Sequence, residues 1–172
     1  KKSNLNDKAL ANYAAASVMN ENQKYTDAMV YYKNAEKLLE NSDNHVMKGL
    51  VYANIAYLYD KQLMFSEAIK NYKVALNEYS IVPNNIDKQI NLLIFLGSKY
   101  LLINQINNAL SCYHKAYDLS IKLKDKNSQS FILNNIGLIY QQKKEHNIAI
   151  KYFKNAVNLK TSDINLFVYE QN

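Results

Sequence analysis

The sequence is short of the residues that build tight turns: its 172 positions hold three glycines and one proline. Sheets joined by hairpins and loops that cradle phosphate both need backbone at φ > 0, which glycine reaches at least cost. Their scarcity argues against both and for long helices with short connections. Arginine and tryptophan are absent, so the net charge of +6 is carried by lysine. Nucleic-acid readers favour the bidentate fork of arginine on guanine edges and phosphates. Here the lysines alternate with acids, as in KLKDK (122–126) and KKE (143–145), the pattern of a solvated helix face. Direct nucleic-acid contact by this segment is therefore not expected. The one cysteine, Cys112, has no internal partner and reads as a small core filler. No run approaches the ~18 apolar residues of a membrane span, and KKSNLNDKAL lacks a signal-peptide core, so no membrane insertion by this segment is expected. His45, His114 and His146 fall in different segments without the i, i+4 spacing of a helical metal pair. With no paired carboxylates, nucleophile elbow or phosphate loop, the expectation is a non-enzyme with no cofactor and no metal. The chain starts without Met and ends in the apolar stub TSDINLFVYEQN, which suggests a piece of a longer protein.

What is present is a phrase written four times. Ala28, Ala68, Ala109 and Ala149 are each followed four residues on by Tyr32, Tyr72, Tyr113 and Phe153, and seven on by Ala35, Ala75, Ala116 and Ala156. Twelve residues before each leading alanine stands a small residue: Ala16, Ala56, Gly97 and Gly137. The period is about 40 residues. Apolar residues recur at i, i+3, i+4 and i+7 before each turn, as in Leu133, Ile136, Gly137 and Tyr140, and again after it, as in Ala68, Tyr72, Ala75 and Tyr79. Short polar turns such as INQIN (103–107) and QQKKEHN (141–147) join them. Each repeat is thus an antiparallel helical hairpin, and its small residues let the two backbones approach. Eight helices are predicted near 6–20, 24–41, 44–61, 65–80, 84–103, 105–123, 127–142 and 145–160, with contacts of Ala56 on Ala68, Gly97 on Ala109 and Gly137 on Ala149. Pro83 is placed where it can open the fifth helix. Most of the fifteen tyrosines occupy packing positions and read as core.

These small, aromatic and alanine positions resemble the signature of tetratricopeptide repeats, with Asn12, Tyr52, Leu93 and Leu133 in place of the usual tryptophan. The long period is similar to repeat arrays of bacterial regulators, those of the Bacteroidetes type and the peptide-sensing arrays of Gram-positive quorum regulators. The resemblance implies an all-α right-handed superhelix of helical hairpins, a single array over 1–172 with repeats near 9–43, 49–82, 90–123 and 130–160, and 161–172 opening a capping or further helix. It also implies an inner face, lined by the first helix of each hairpin, that binds a peptide or protein segment. A repeated asparagine there grips a peptide backbone, because an amide offers both acceptor and donors. Asn54 and Asn135 occupy that position, with Ala14 and Phe95 in the other two repeats. For that role their amides must stand clear of neighbouring protein groups. Tyr13, Ser17, Tyr57, Asn91, Ser98, Asn134 and Leu138 should share the face. The Lys/Arg clamp of the family's chaperone-tail binders is missing, which argues against that role. The alternative is a structural module that dimerises through its C-terminal end, where Ile164, Leu166, Phe167 and Val168 make the stub sticky. The compartment is periplasmic on the Bacteroidetes-type resemblance and cytoplasmic on the other.

Overall fold

A computed structural model describes the backbone from Lys2 to Tyr169 and the side chains of residues 4–159. Among the described residues there are eight helices and no strand: α1 (Lys2–Glu21), α2 (Tyr25–Leu39), α3 (His45–Lys61), α4 (Phe65–Ile81), α5 (Ile86–Leu102), α6 (Ile106–Leu123), α7 (Lys126–Gln142) and α8 (His146–Tyr169). They pair as antiparallel hairpins, α1 with α2, α3 with α4 and α7 with α8, and α2 and α6 also pack against the helices that follow them. Two differences from the predicted helices have local causes. Pro83 does not open α5; it lies in the link 82–85, and Val82 before it is extended at φ −104°, ψ 121°, as a residue preceding proline prefers. Asn85, the residue before α5, is buried, with Nδ2 donating to Val82 O at 3.3 Å and Oδ1 accepting from Lys88 Nζ at 3.2 Å. At the other end, α8 does not stop near 160 but runs on to Tyr169. The stretch NLKTSDINLFVY has no glycine or proline to end it. The side chains of Ile164, Leu166, Phe167 and Val168 lie outside the described residues.

The chain divides into two compact units, residues 1–88 and 89–172. In the first, Ala9, Ala16, Ala28, Tyr32, Ala35, Leu39, Val51, Ile55 and Leu58 form a closed core. In the second, Ala109, Tyr113, Ala116, Ile132 and Ile136 are buried. Burial drives these helices together, at about 25 cal/mol per Å² of apolar surface removed from water. It also pushes the phenol of Tyr113 up to about 12, so the ring is a neutral apolar body at ordinary pH.

The three glycines lie inside helices, not in turns. A Cβ on Gly49 would stand 2.7 Å from the Tyr79 ring, one on Gly97 2.8 Å from Tyr113, and one on Gly137 2.6 Å from Phe153. The neighbour pressed on the small residue of the third and fourth hairpins is therefore the aromatic four residues beyond the predicted alanine. The turns reach φ > 0 without glycine, at Gln23, Leu63, Asn104 and Lys144 within the hairpins and at Asn84 and Lys124 between them. Each turn within a hairpin closes a Schellman motif, such as Met64 N–H to Tyr59 O at 2.9 Å and Gln105 N–H to Tyr100 O at 2.7 Å.

Candidate functional site

The first helices carry the residues predicted to meet a ligand, and in the first unit several are bound up in the fold. Tyr13 is half-buried, its ring 5.7 Å from that of Tyr32. Ser17 Oγ donates to Tyr13 O at 3.1 Å and lies 3.3 Å from the Tyr32 hydroxyl. Both therefore serve the α1–α2 contact. Tyr57 is more open, and the Lys61 ammonium sits 5.1 Å above its ring. Asn54 is half-buried on α3, with Nδ2 donating to Leu50 O at 2.8 Å.

Asn135 in the second unit repeats that arrangement, with Nδ2 donating to Phe131 O at 3.0 Å. The expectation that these amides stand clear of protein groups thus needs correction: one N–H of each bonds back to the carbonyl one turn earlier, as short polar side chains inside helices do. The carbonyl oxygen and second N–H of each amide take no further hydrogen bond among the described residues. Asn91, Asn134 and Leu138 are exposed, and Ser98 Oγ donates to Phe95 O at 2.8 Å.

Asn91 and Asn134 come together at a cleft of about 750 Å³ between α5, α7 and α8. Its apolar wall is Ile94 and Phe95 on α5, Phe131 on α7, and Phe153 and Val157 on α8; Asn127 and Ser128 also line it. Phe95 and Phe131 are 49% and 54% exposed, at a cleft that no charged side chain lines among the described residues. Sequence reasoning placed Phe95 at the asparagine position but missed Phe131, Phe153 and Val157 as cleft residues. The signal was present: three of the five phenylalanines meet here, in a chain that elsewhere prefers tyrosine.

The helix that gives this cleft its largest share of lining residues, α7, is capped at its start. Asp125 Oδ1 accepts from the Ser128 N–H at 3.0 Å, and hydrogen bonds from Ser128 hold its carboxyl below the usual carboxylate range. Two clefts in the first unit are more polar. In one, Tyr52 lies among Glu36, Glu40 and Glu78; burial first, then the charge of Glu36, pushes its phenol up to about 12. In the other, of about 760 Å³, the asparagines are partly spent: Asn6 Oδ1 accepts from Ser42 Oγ at 2.9 Å, and Asn44 Oδ1 caps α3 at Met47 N at 3.1 Å. Among the described residues no group of three or more His, Cys, Asp or Glu is placed to hold a metal, and no helix is long and apolar enough to cross a membrane.

Comparison with known proteins adds to this geometry. No family model matches the chain. It is 26% identical over 143 residues to the transcriptional activator NprA of Geobacillus stearothermophilus, an alignment covering 78% of this chain and 33% of that protein. The chain thus spans about a third of that relative's length. Among solved structures it resembles the apo form of RapI (TM-score 0.83, 14% identity, 91% of this chain and 44% of that one). It also resembles aspartyl phosphate phosphatase F of Bacillus subtilis (TM-score 0.75, 20% identity, 91% and 41%). A third is the signal-transduction ATPase PH0952 of Pyrococcus horikoshii, which has a tetratricopeptide-repeat sensor (TM-score 0.82, 18% identity, 94% and 25%).

Proposed function

From a fold that is of the tetratricopeptide-repeat type, we propose that this chain is a peptide-binding scaffold, the sensor or interaction segment of a bacterial regulatory protein. The observation that carries the reading is the pair Asn54 and Asn135. They stand at one register position of two hairpins, each tied to its own helix by one N–H and each keeping its carbonyl oxygen for a ligand. Tethering fixes the rotamer in advance, which lowers the entropy lost on binding. The activator NprA and the repeat sensor of PH0952 support a regulatory role by likeness.

The test is an array of random decapeptides probed with the full chain and with Asn54→Ala and Asn135→Ala. Neither substitution removes more than one bond within the helix, so melting should stay within about 0.5 kcal/mol of the parent, alanine being the better helix former. Capture should weaken by about 1–3 kcal/mol. Normal capture by a destabilised double variant would end the reading. The second reading, an assembly module, draws on apolar residues of α8 away from the cleft lining, Ile148 and Ile150, which are 38% and 48% exposed. Concentration-dependent sedimentation that Ile150→Lys abolishes would favour it.

A further inference from the structure

Resting on the peptide-binding reading, we propose that the α5–α7–α8 cleft selects the peptide's sequence by admitting one bulky uncharged side chain, phenylalanine, leucine or isoleucine, and rejecting charged ones. At the register position where α3 and α7 carry Asn54 and Asn135, α5 carries Phe95. An amide can hold any peptide unit, whereas a phenyl ring can only reward apolar surface laid against it. One rung suited to a backbone has become one suited to a side chain.

The surroundings fit that exchange. Phe131 on α7 is 54% exposed, and with Phe95 and Phe153 it gives the cleft three rings that carry no hydroxyl. Charged residues make up 21% of the chain, yet among the described residues none lines this cleft of about 750 Å³. A lysine or glutamate entering it would lose water and gain no counter-charge from the walls, a penalty far larger than the reward for a mismatched methylene. The polar groups that do line it, Asn91, Asn134 and Ser128, are neutral and suited to the peptide units on either side of a buried anchor. The volume lies within the range of sites that enclose most of a small ligand.

The decapeptide array decides the matter with Phe131→Glu and Phe131→Leu beside the parent chain. Phe131 is a surface residue, so both variants should keep the parent's helical circular dichroism and melting. The parent should select peptides with Phe, Leu or Ile at one position flanked by uncharged residues. Phe131→Leu should keep that preference. Phe131→Glu should bind those peptides at least about tenfold more weakly, a loss near 1.4 kcal/mol, and move the selected position towards lysine, which a merely structural role would not do. Parent hits rich in Asp, Glu or Lys, or an unchanged preference in Phe131→Glu, overturn the inference. If the Asn54→Ala and Asn135→Ala variants lose capture while Phe131→Glu keeps the parent's preference, this inference alone falls. If the parent captures no peptide, the peptide-binding reading falls with it.

Discussion

Gly97 and Gly137 each press on an aromatic ring, yet a methyl group added to them should act differently. The Cβ of Gly97→Ala would meet Tyr113 at 2.8 Å, and that ring is 2% exposed within the packing of the second unit. It has nowhere to go, so overpacking of about 1–3 kcal/mol should outweigh the roughly 1 kcal/mol that alanine gains over glycine in a helix. The Cβ of Gly137→Ala would meet Phe153 at 2.6 Å, but that ring is only half-buried and can swing towards its cleft. Denaturant melts should show Gly97→Ala losing about 1 kcal/mol net and Gly137→Ala lying within about 0.5 kcal/mol of the parent. Equal losses would mean that both rings are equally confined. The small positions were legible in the sequence because they recur at one spacing. Their neighbours were not, since a period shows that two residues are small without showing which side chain fills the space between their helices.

At the scale of the element, all the described turns within hairpins use a left-handed residue other than glycine. The sequence hid this. A chain with three glycines reads as one that avoids φ > 0, whereas the helices have taken the glycines for close packing and left the turns to Gln23, Leu63, Asn104 and Lys144. Most helix ends were legible to within about two residues, because the 3.6-residue stripe and the polar turns agree. The larger departures are α8, which runs to Tyr169 against an expected end near 160 for lack of any breaker, and α1, which begins at Lys2 against an expected start near 6. The turns therefore hold unused stability. An L-residue in the left-handed region costs about 1–2 kcal/mol; glycine avoids that cost, and the greater freedom of its unfolded chain offsets part of the gain. Leu63 has φ 60° and is 73% exposed, so little packing is lost by trimming it. Leu63→Gly should raise stability by about 0.5–1 kcal/mol, seen as a higher denaturant midpoint at unchanged slope. A lower midpoint would show that the leucine side chain supports the turn.

Over the whole molecule, the sequence made the repeat and its inner-face residues visible but not the cleft, which depends on how α5, α7 and α8 lean together within the second unit. The many tyrosines were read as core, and their ionisation now offers a test that spans both units. Burial pushes up the phenols of Tyr32, Tyr72 and Tyr79, brings Tyr52 to about 12 with help from Glu36, and brings Tyr113 to about 12. A tyrosine in the unfolded chain ionises near its ordinary value of 10.0. Between that value and the raised ones the folded state binds more protons than the unfolded state, so stability falls as pH rises. The contribution is complete below pH 10 and drains away towards pH 12, with most of these phenols in residues 1–88. An alkaline titration followed by absorbance should therefore show the phenols of Tyr32, Tyr52, Tyr72, Tyr79 and Tyr113 ionising only as the helical circular dichroism collapses. Phenylalanine at Tyr72 should shift that collapse to higher pH, because it removes one proton-linked loss without emptying the space. Complete ionisation near pH 10 with the helices intact would contradict the buried positions of these rings.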